Sequence, residues 1–104
     1  LERKAQLERS MLEVEALLRT HPEVAQVAVI GVPDHILGER VCACVVPAEP
    51  LRIDLENLKR HLRGLGLANH KLPERLVLLP DLPIVGDKID RRALAAIVAG
   101  QGIS

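Results

Sequence analysis

Along the first twenty positions, apolar residues recur at spacings of four, three and four: Leu7, Met11, Val14 and Leu18. That spacing lines one face of an amphipathic helix. It predicts helix from Leu1 to about Thr20, with Glu8, Glu13 and Glu15 on the solvated sides. Residues 1–10 are more polar and belong less firmly to the domain. His21-Pro22 stops the helix, because a residue before proline is pushed out of the α region. Val24-Ala25-Gln26-Val27-Ala28-Val29-Ile30 is apolar and β-branched almost throughout, which suits a strand covered on both faces. Gly31-Val32-Pro33-Asp34 has turn chemistry, and Gly38 is a second turn signal. A second strand is expected from Arg40 to Val46, with Val41, Ala43 and Val45 on one side and Cys42, Cys44 and Val46 on the other. Pro47 and Pro50 close it. The two strands are expected to pair antiparallel across a loop too long for a tight hairpin.

Asp54 is a good N-cap for a second helix whose buried stripe is Leu55, Leu58, Leu62 and Leu65, ended by Gly64 and Gly66. Lys59, Arg60 and Arg63 lie off that stripe, as a solvated basic face does. Asn69-His70-Lys71-Leu72-Pro73 is an extended connector, and Arg75-Leu76-Val77-Leu78-Leu79 a third strand. Asp81 to Lys88 has the composition of a loop. Asp90 caps a last helix carrying Leu94, Ile97 and Val98, which Gly100 stops. The order α-β-β-α-β-α predicts an α+β domain, a small and mostly antiparallel sheet flanked by helices.

The length of 104 residues gives room for one domain, and 48% hydrophobic content suffices for a core. Phe, Tyr and Trp are all absent, so that core must be built from Leu, Val, Ile and Ala. Fourteen basic residues balance fourteen acidic ones. No net field then favours nucleic acid or a membrane surface, and base stacking on aromatic rings is excluded. No apolar run approaches the roughly 20 residues that span a bilayer, and no signal-peptide pattern is present. Cys42 and Cys44 make no disulfide framework and are expected as small reduced core residues, which points to the cytoplasm. The chain opens on Leu1 rather than Met, as a piece of a longer protein does.

The usual catalytic constellations are missing. His21, His35, His61 and His70 are scattered without metal-ligand spacing, so no metal site is expected. Ser10 and Ser104 are the only serines, and no phosphate-binding glycine loop precedes a helix. Lys88 stands apart. It follows Gly86-Asp87 and precedes Arg91-Arg92. A lysine on a loop is a point charge with three donors, suited to reaching an anion held elsewhere; from spacing alone, however, it reads first as an ordinary surface lysine.

Several segments, in order, resemble one family. Val14-Glu15-Ala16-Leu17-Leu18 with His21-Pro22-Glu23-Val24 is similar to the helix after the hinge of adenylate-forming enzymes: acyl-CoA synthetases, luciferases and peptide-synthetase adenylation domains. Gly31-Val32-Pro33-Asp34, Gly38-Glu39, the stretch Ala43 to Pro47, Lys71-Leu72-Pro73-Glu74-Arg75 and Leu82-Pro83 continue the match. Gly86 with Lys88-Ile89-Asp90-Arg91-Arg92-Ala93-Leu94 resembles the closing motif. Residues 12–99 are thereby identified as the C-terminal lid domain, with 1–11 an N-terminal extension or hinge remnant and 100–104 a tail. Leu62 to Ala68 most resembles the branch that activates salicylate or 2,3-dihydroxybenzoate for siderophore synthesis, with a pyochelin-type salicylate ligase the best specific match.

The resemblance implies a two-step reaction. A carboxylate attacks the α-phosphate of ATP, and the acyl-adenylate then passes to a thiol, here the phosphopantetheine of an aryl carrier protein. ATP and Mg2+ would be bound mainly by a large N-terminal domain, with Lys88 supplied by the lid. Gly31, Val32, Pro33, Asp34, Gly38 and Glu39 become candidate contacts for the thioester step, and Lys59, Arg60 and Arg63 candidate carrier contacts. Two departures stand out. The hinge motif is not recognisable in residues 1–10, and Asp87 intervenes between Gly86 and Lys88 in a loop one residue shorter than expected. The alternative function is a non-catalytic module that docks a carrier or other partner on the same scaffold.

Overall fold

The structure, a computed structural model, describes residues 2–34, 38–49 and 53–100. Leu1, His35, Pro50 and the tail residues 101–104, all of which figure in the expectations above, lie outside the described residues. The helix α1 (Glu2–Leu18) leads into β1 (Val24–Asp34) and β2 (Gly38–Pro47), followed by α2 (Leu55–Gly64). A short 3-10 turn at Asn69–Lys71 precedes β3 (Arg75–Leu78), the two-residue strands β4 (Ile84–Val85) and β5 (Lys88–Ile89), and α3 (Arg91–Gly100). The α+β order is as expected, with the 3-10 turn and the small β4–β5 sheet added.

β1, β2 and β3 form one sheet in that order. Alternation along its strands builds two cores. Val27, Val29, Ala43 and Val45 face α1 and α2, meeting Val14, Leu18, Leu58 and Leu62. Ala28, Ile30, Val32, Cys42 and Cys44 face the other way, meeting Leu82 and the α3 residues Leu94 and Val98. The sheet is thus the middle of three layers, and the strand expected to be covered on both faces is so covered from Val27 to Ile30, whereas Ala25 and Gln26 at its start are exposed.

Several expectations need correction. Gly31-Val32-Pro33-Asp34 is not a turn but the end of β1, paired through Asp34 opposite Gly38, so the antiparallel ladder is long and only three residues separate its strands. β2 and β3 pair in parallel, because α2 crosses over between them; the main sheet is therefore mixed. Asp81 to Lys88 is not wholly loop, since it carries β4 and the start of β5. Leu65 is exposed, because α2 ends at Gly64 and turns back. There Gly66 takes φ +90, its N–H donates to the Arg63 carbonyl, and the Leu67 N–H donates to the Leu62 carbonyl. That is a Schellman closure, in which only glycine enters the left-handed region without strain, and Leu67 replaces Leu65 in the core.

Asp54 caps α2 as expected, accepting from the Asn57 backbone N–H at 2.7 Å. Asp54→Ala is expected to lower stability by about 1 kcal/mol, read as an earlier urea midpoint with unchanged slope.

The fold also joins two histidines that the sequence leaves 40 positions apart. The rings of His21 and His61 lie 4.7 Å between centroids. His21 Nδ1 accepts from the Glu23 N–H at 3.0 Å, so Nε2–H donates to Asn57 Oδ1 at 2.7 Å. The Thr20 hydroxyl donates to the Leu17 carbonyl and therefore accepts from His61 Nε2. Burial, and then the neighbouring His21, hold the His61 pKa below its ordinary value of 6.5. The unfolded chain accordingly takes up a proton more readily than the native one. Stability is expected to be full above about pH 6.5 and to decline below it, with His61→Gln flattening that decline in thermal melts at stepped pH.

Cys42 and Cys44 are fully buried free thiols with their sulfurs 4.0 Å apart, the small core residues expected. The hydrogen bond to Cys42 and burial push the Cys44 thiol well above its ordinary range, which leaves it protonated and inert.

Candidate functional site

Lys88 sits on the hairpin formed by β4 and β5, in which Ile84 pairs with Ile89 and Val85 with Lys88. Two residues, Gly86 and Asp87, make the turn. Gly86 adopts φ +65, which explains glycine at its first position and shows how the shortened loop closes. At the open end the Asp90 N–H donates to the Pro83 carbonyl at 2.9 Å, tying the two strands at their base. Leu82 before the hairpin and Leu94 after it are buried in the α3-side core. Asp90 then caps α3, accepting from the Ala93 N–H at 3.0 Å. The result is a small projection on a fixed base.

The projection is exposed apart from Ile89, which packs against the α3-side core. Lys88, Gly86 and Asp87 are exposed, and the apolar side chains of Ile84 and Val85 are 55% and 64% exposed. Among the described residues, the Lys88 amine has no ion-pair partner, Asp87 included. Its positive charge faces outward, uncompensated. The groove beside the hairpin, lined by Arg19, Val24, Gln26, Leu82, Ile84 and Ile89, is open.

The other candidates lie elsewhere. Glu39 folds its carboxylate over Gly31, so closely that a Cβ there would lie 2.5 Å from Glu39 Oε2. Val32 is buried in the core, Pro33 is exposed, and Asp34 and Gly38 pair by backbone at the strand ends. On α2, Arg60 and Arg63 are exposed, Arg63 donating to Asn69 Oδ1, whereas Lys59 is largely covered and pairs with Glu56 at 3.8 Å. α2 packs on the face of the sheet opposite α3, so these basic residues and the hairpin base occupy different layers. The fold brings Gly31 and Glu39 together and keeps Lys88 apart from the α2 set.

One carboxylate was misplaced by periodicity alone. Glu15, expected on a solvated side of α1, is only 3% exposed. Its Oε1 accepts from the Val29 N–H at 2.9 Å and from Arg91 Nη2 at 3.1 Å. Its Oε2 accepts from Arg19 Nη2 at 2.8 Å and again from Arg91 Nη2. Arg91 Nη1 also donates to the Val29 carbonyl at 3.2 Å. Val29 turns both backbone groups away from β2, and the two side chains satisfy them where no strand does. The signal was present: Glu15 lies four residues after Met11 and three before Leu18, within the apolar stripe. Arg91 gave a second signal, since a basic residue in the first turn opposes the helix dipole unless something else holds it.

Among the described residues no three metal-ligating side chains converge. Nor is any described helix long and apolar enough to cross a membrane.

The sequence profile of the AMP-binding enzyme C-terminal domain matches residues 13–89, well over half of the chain. The chain belongs to that family. Among relatives of this AMP-binding enzyme C-terminal domain, pyochelin synthase PchD of Pseudomonas aeruginosa is 45% identical over 83 residues, covering 79% of this chain and 15% of the relative. A salicylyl-CoA synthase / salicylate adenylyltransferase from a Streptomyces species is 42% identical over 94 residues, covering 88% and 17%. The apo structure of Mycobacterium smegmatis MbtA superposes with a TM-score of 0.77 at 39% identity, covering 83% of this chain and 16% of that one. The AMP-binding C-terminal domain described here thus spans about one sixth of the length of the proteins it matches.

Proposed function

We propose that this domain is the lid of an ATP-dependent aryl-acid ligase acting in the cytoplasm, and that Lys88 is its adenylation residue. The observation that carries this reading is the outward, unpaired Lys88 amine on a hairpin with a fixed base, in a chain of this family. Salicylate is the favoured acid, since the Streptomyces relative is named for it, with 2,3-dihydroxybenzoate next.

In the first step a carboxylate oxygen attacks the α-phosphorus of ATP, and the bond to the pyrophosphate oxygen breaks. Two anions must approach, and charge builds around the α-phosphate. A cation delivered at that point offsets the repulsion and stabilises the displacement. The exposed Ile84 and Val85 would pack against the large domain as the lysine enters, excluding water. In the second step a thiolate attacks the acyl carbon and AMP leaves. The phosphopantetheine thiol of an aryl carrier protein is the proposed acceptor. Arg60 and Arg63, with Lys59 beside them, would meet an acidic carrier surface, and Gly31, Pro33 and Glu39 would line the approach to the thioester centre. Names of relatives as synthases and adenylyltransferases do not favour the docking-only alternative.

The test follows the two steps separately in the ligase that carries this domain. Acid-dependent pyrophosphate exchange is expected to fall in Lys88→Ala, while carrier loading from preformed salicyl-adenylate persists. Unchanged exchange overturns the role of Lys88; no exchange by the wild type with either acid overturns the substrate class.

A further inference from the structure

We propose that Glu15 and Arg91 are positioning residues for Lys88, an inference that rests on the adenylation role just given. Two paired residues per strand cannot hold a hairpin in place by themselves, so the position of β4–β5 is inherited from its base. Chain direction after Lys88 is set by Asp90, which binds the Pro83 carbonyl and caps α3. The position of that α3 start is set in turn by Arg91, three residues beyond Lys88. Its guanidinium grips both Glu15 oxygens and the Val29 carbonyl. Glu15 itself is immobilised by the Val29 N–H and by Arg19.

This connection runs from α3, on one face of the sheet, around the outer edge of β1 to α1 on the other face. Packing of Leu94 and Val98 holds α3 against the sheet; the forked ion pair adds a directional anchor against a slide along it, at the end of α3 that carries the hairpin. A lysine that must meet a phosphate within hydrogen-bond distance is sensitive to such a slide, because a misplacement of about 1 Å can cost roughly 100-fold in rate. Arg91 remains 43% exposed and Arg19 58%. Removing the carboxylate charge therefore leaves both cations in contact with water, and the fold is expected to survive.

The experiment uses Glu15→Gln, Arg91→Met and Arg91→Lys in the ligase that carries this domain, each alone and in a Lys88→Ala background. Pyrophosphate exchange with salicylate reads the first step, and carrier loading from synthetic salicyl-adenylate reads the second. Glu15→Gln and Arg91→Met are expected to lower the kcat of exchange about 10- to 100-fold with KM and carrier loading unchanged. Arg91→Lys, which keeps the charge but loses the fork, falls between. In the Lys88→Ala background none of the three lowers exchange further. Equal losses in both steps, or an undiminished loss in the Lys88→Ala background, overturn the positioning role while leaving Lys88 in place. Exchange unaffected by Lys88→Ala overturns the reading of Lys88 and this proposal with it.

Discussion

Lys88→Ala is expected to slow acyl-adenylate formation by about 10²–10³-fold, the loss typical when one preorganised donor to a developing charge is removed. The effect should appear in kcat, because in the proposed role the amine would meet the acid and the α-phosphate only with the lid closed and the charge building. Nothing in the domain leans on this side chain: it is exposed, and no described carboxylate pairs with it. The melting temperature of the variant is therefore expected to match that of the wild type, since exposed substitutions away from caps and cores stay within about 0.5 kcal/mol. Lys88→Arg separates charge from placement. Arginine keeps the cation but spreads it over a rigid planar fork, so it is expected to recover only part of the lost rate. Quench-flow formation of salicyl-adenylate, beside the melting curves, checks both statements.

Leu62→Ala is expected to destabilise the domain by about 2–5 kcal/mol. Leu62 is wholly buried between α1 and the sheet, in a core with Val14, Leu18, Leu58 and Leu67. No Phe, Tyr or Trp side chain can tilt into the vacated space, because the chain has none. Branched aliphatic neighbours on short stems relax little, which favours the upper part of that range. The Schellman closure after α2 adds to the loss, since Leu67 packs against the same cluster as Leu62 and holds the turn by that contact. A domain of this size has roughly 5–15 kcal/mol to lose, so the substitution is expected to consume a large part of it. Urea unfolding of the 104-residue chain, followed by far-ultraviolet circular dichroism, provides the measurement.

Helix α2 is legible in the sequence because the Asp54 cap, the Leu58 and Leu62 spacing and the closing glycines agree, although Leu67 rather than Leu65 completes the buried stripe. β1 and β2 are equally legible, being long enough for alternation to show. Strands β4 and β5 are not, since two residues carry no period and only the pairing across Gly86-Asp87 makes them strands. The parallel pairing of β3 escaped for another reason: direction depends on where α2 crosses, which no local pattern records. Lys88 stands out through the motif resemblance, and the fold adds that its amine is exposed on the β4–β5 hairpin. The frame behind it was hidden, because a single-residue view assigns a glutamate such as Glu15 to solvent. Its burial depends on backbone groups at Val29 and on an arginine 76 positions away, and only the folded arrangement brings the three together.

The closure at Val29 has a consequence for how the molecule behaves in crowded company. A lid that opens and closes over a large domain, as proposed for this one, would repeatedly expose surfaces that a static protein keeps covered. A bare run of amide and carbonyl groups on such a surface would recruit extended segments of other chains and seed aggregation. Here the long outer strand is blocked at its middle by charged side chains already bonded to its backbone, and the opposite strand offers only four residues. The sheet is therefore terminated against growth at the point where growth would be easiest, by the same carboxylate and guanidinium that hold the start of α3.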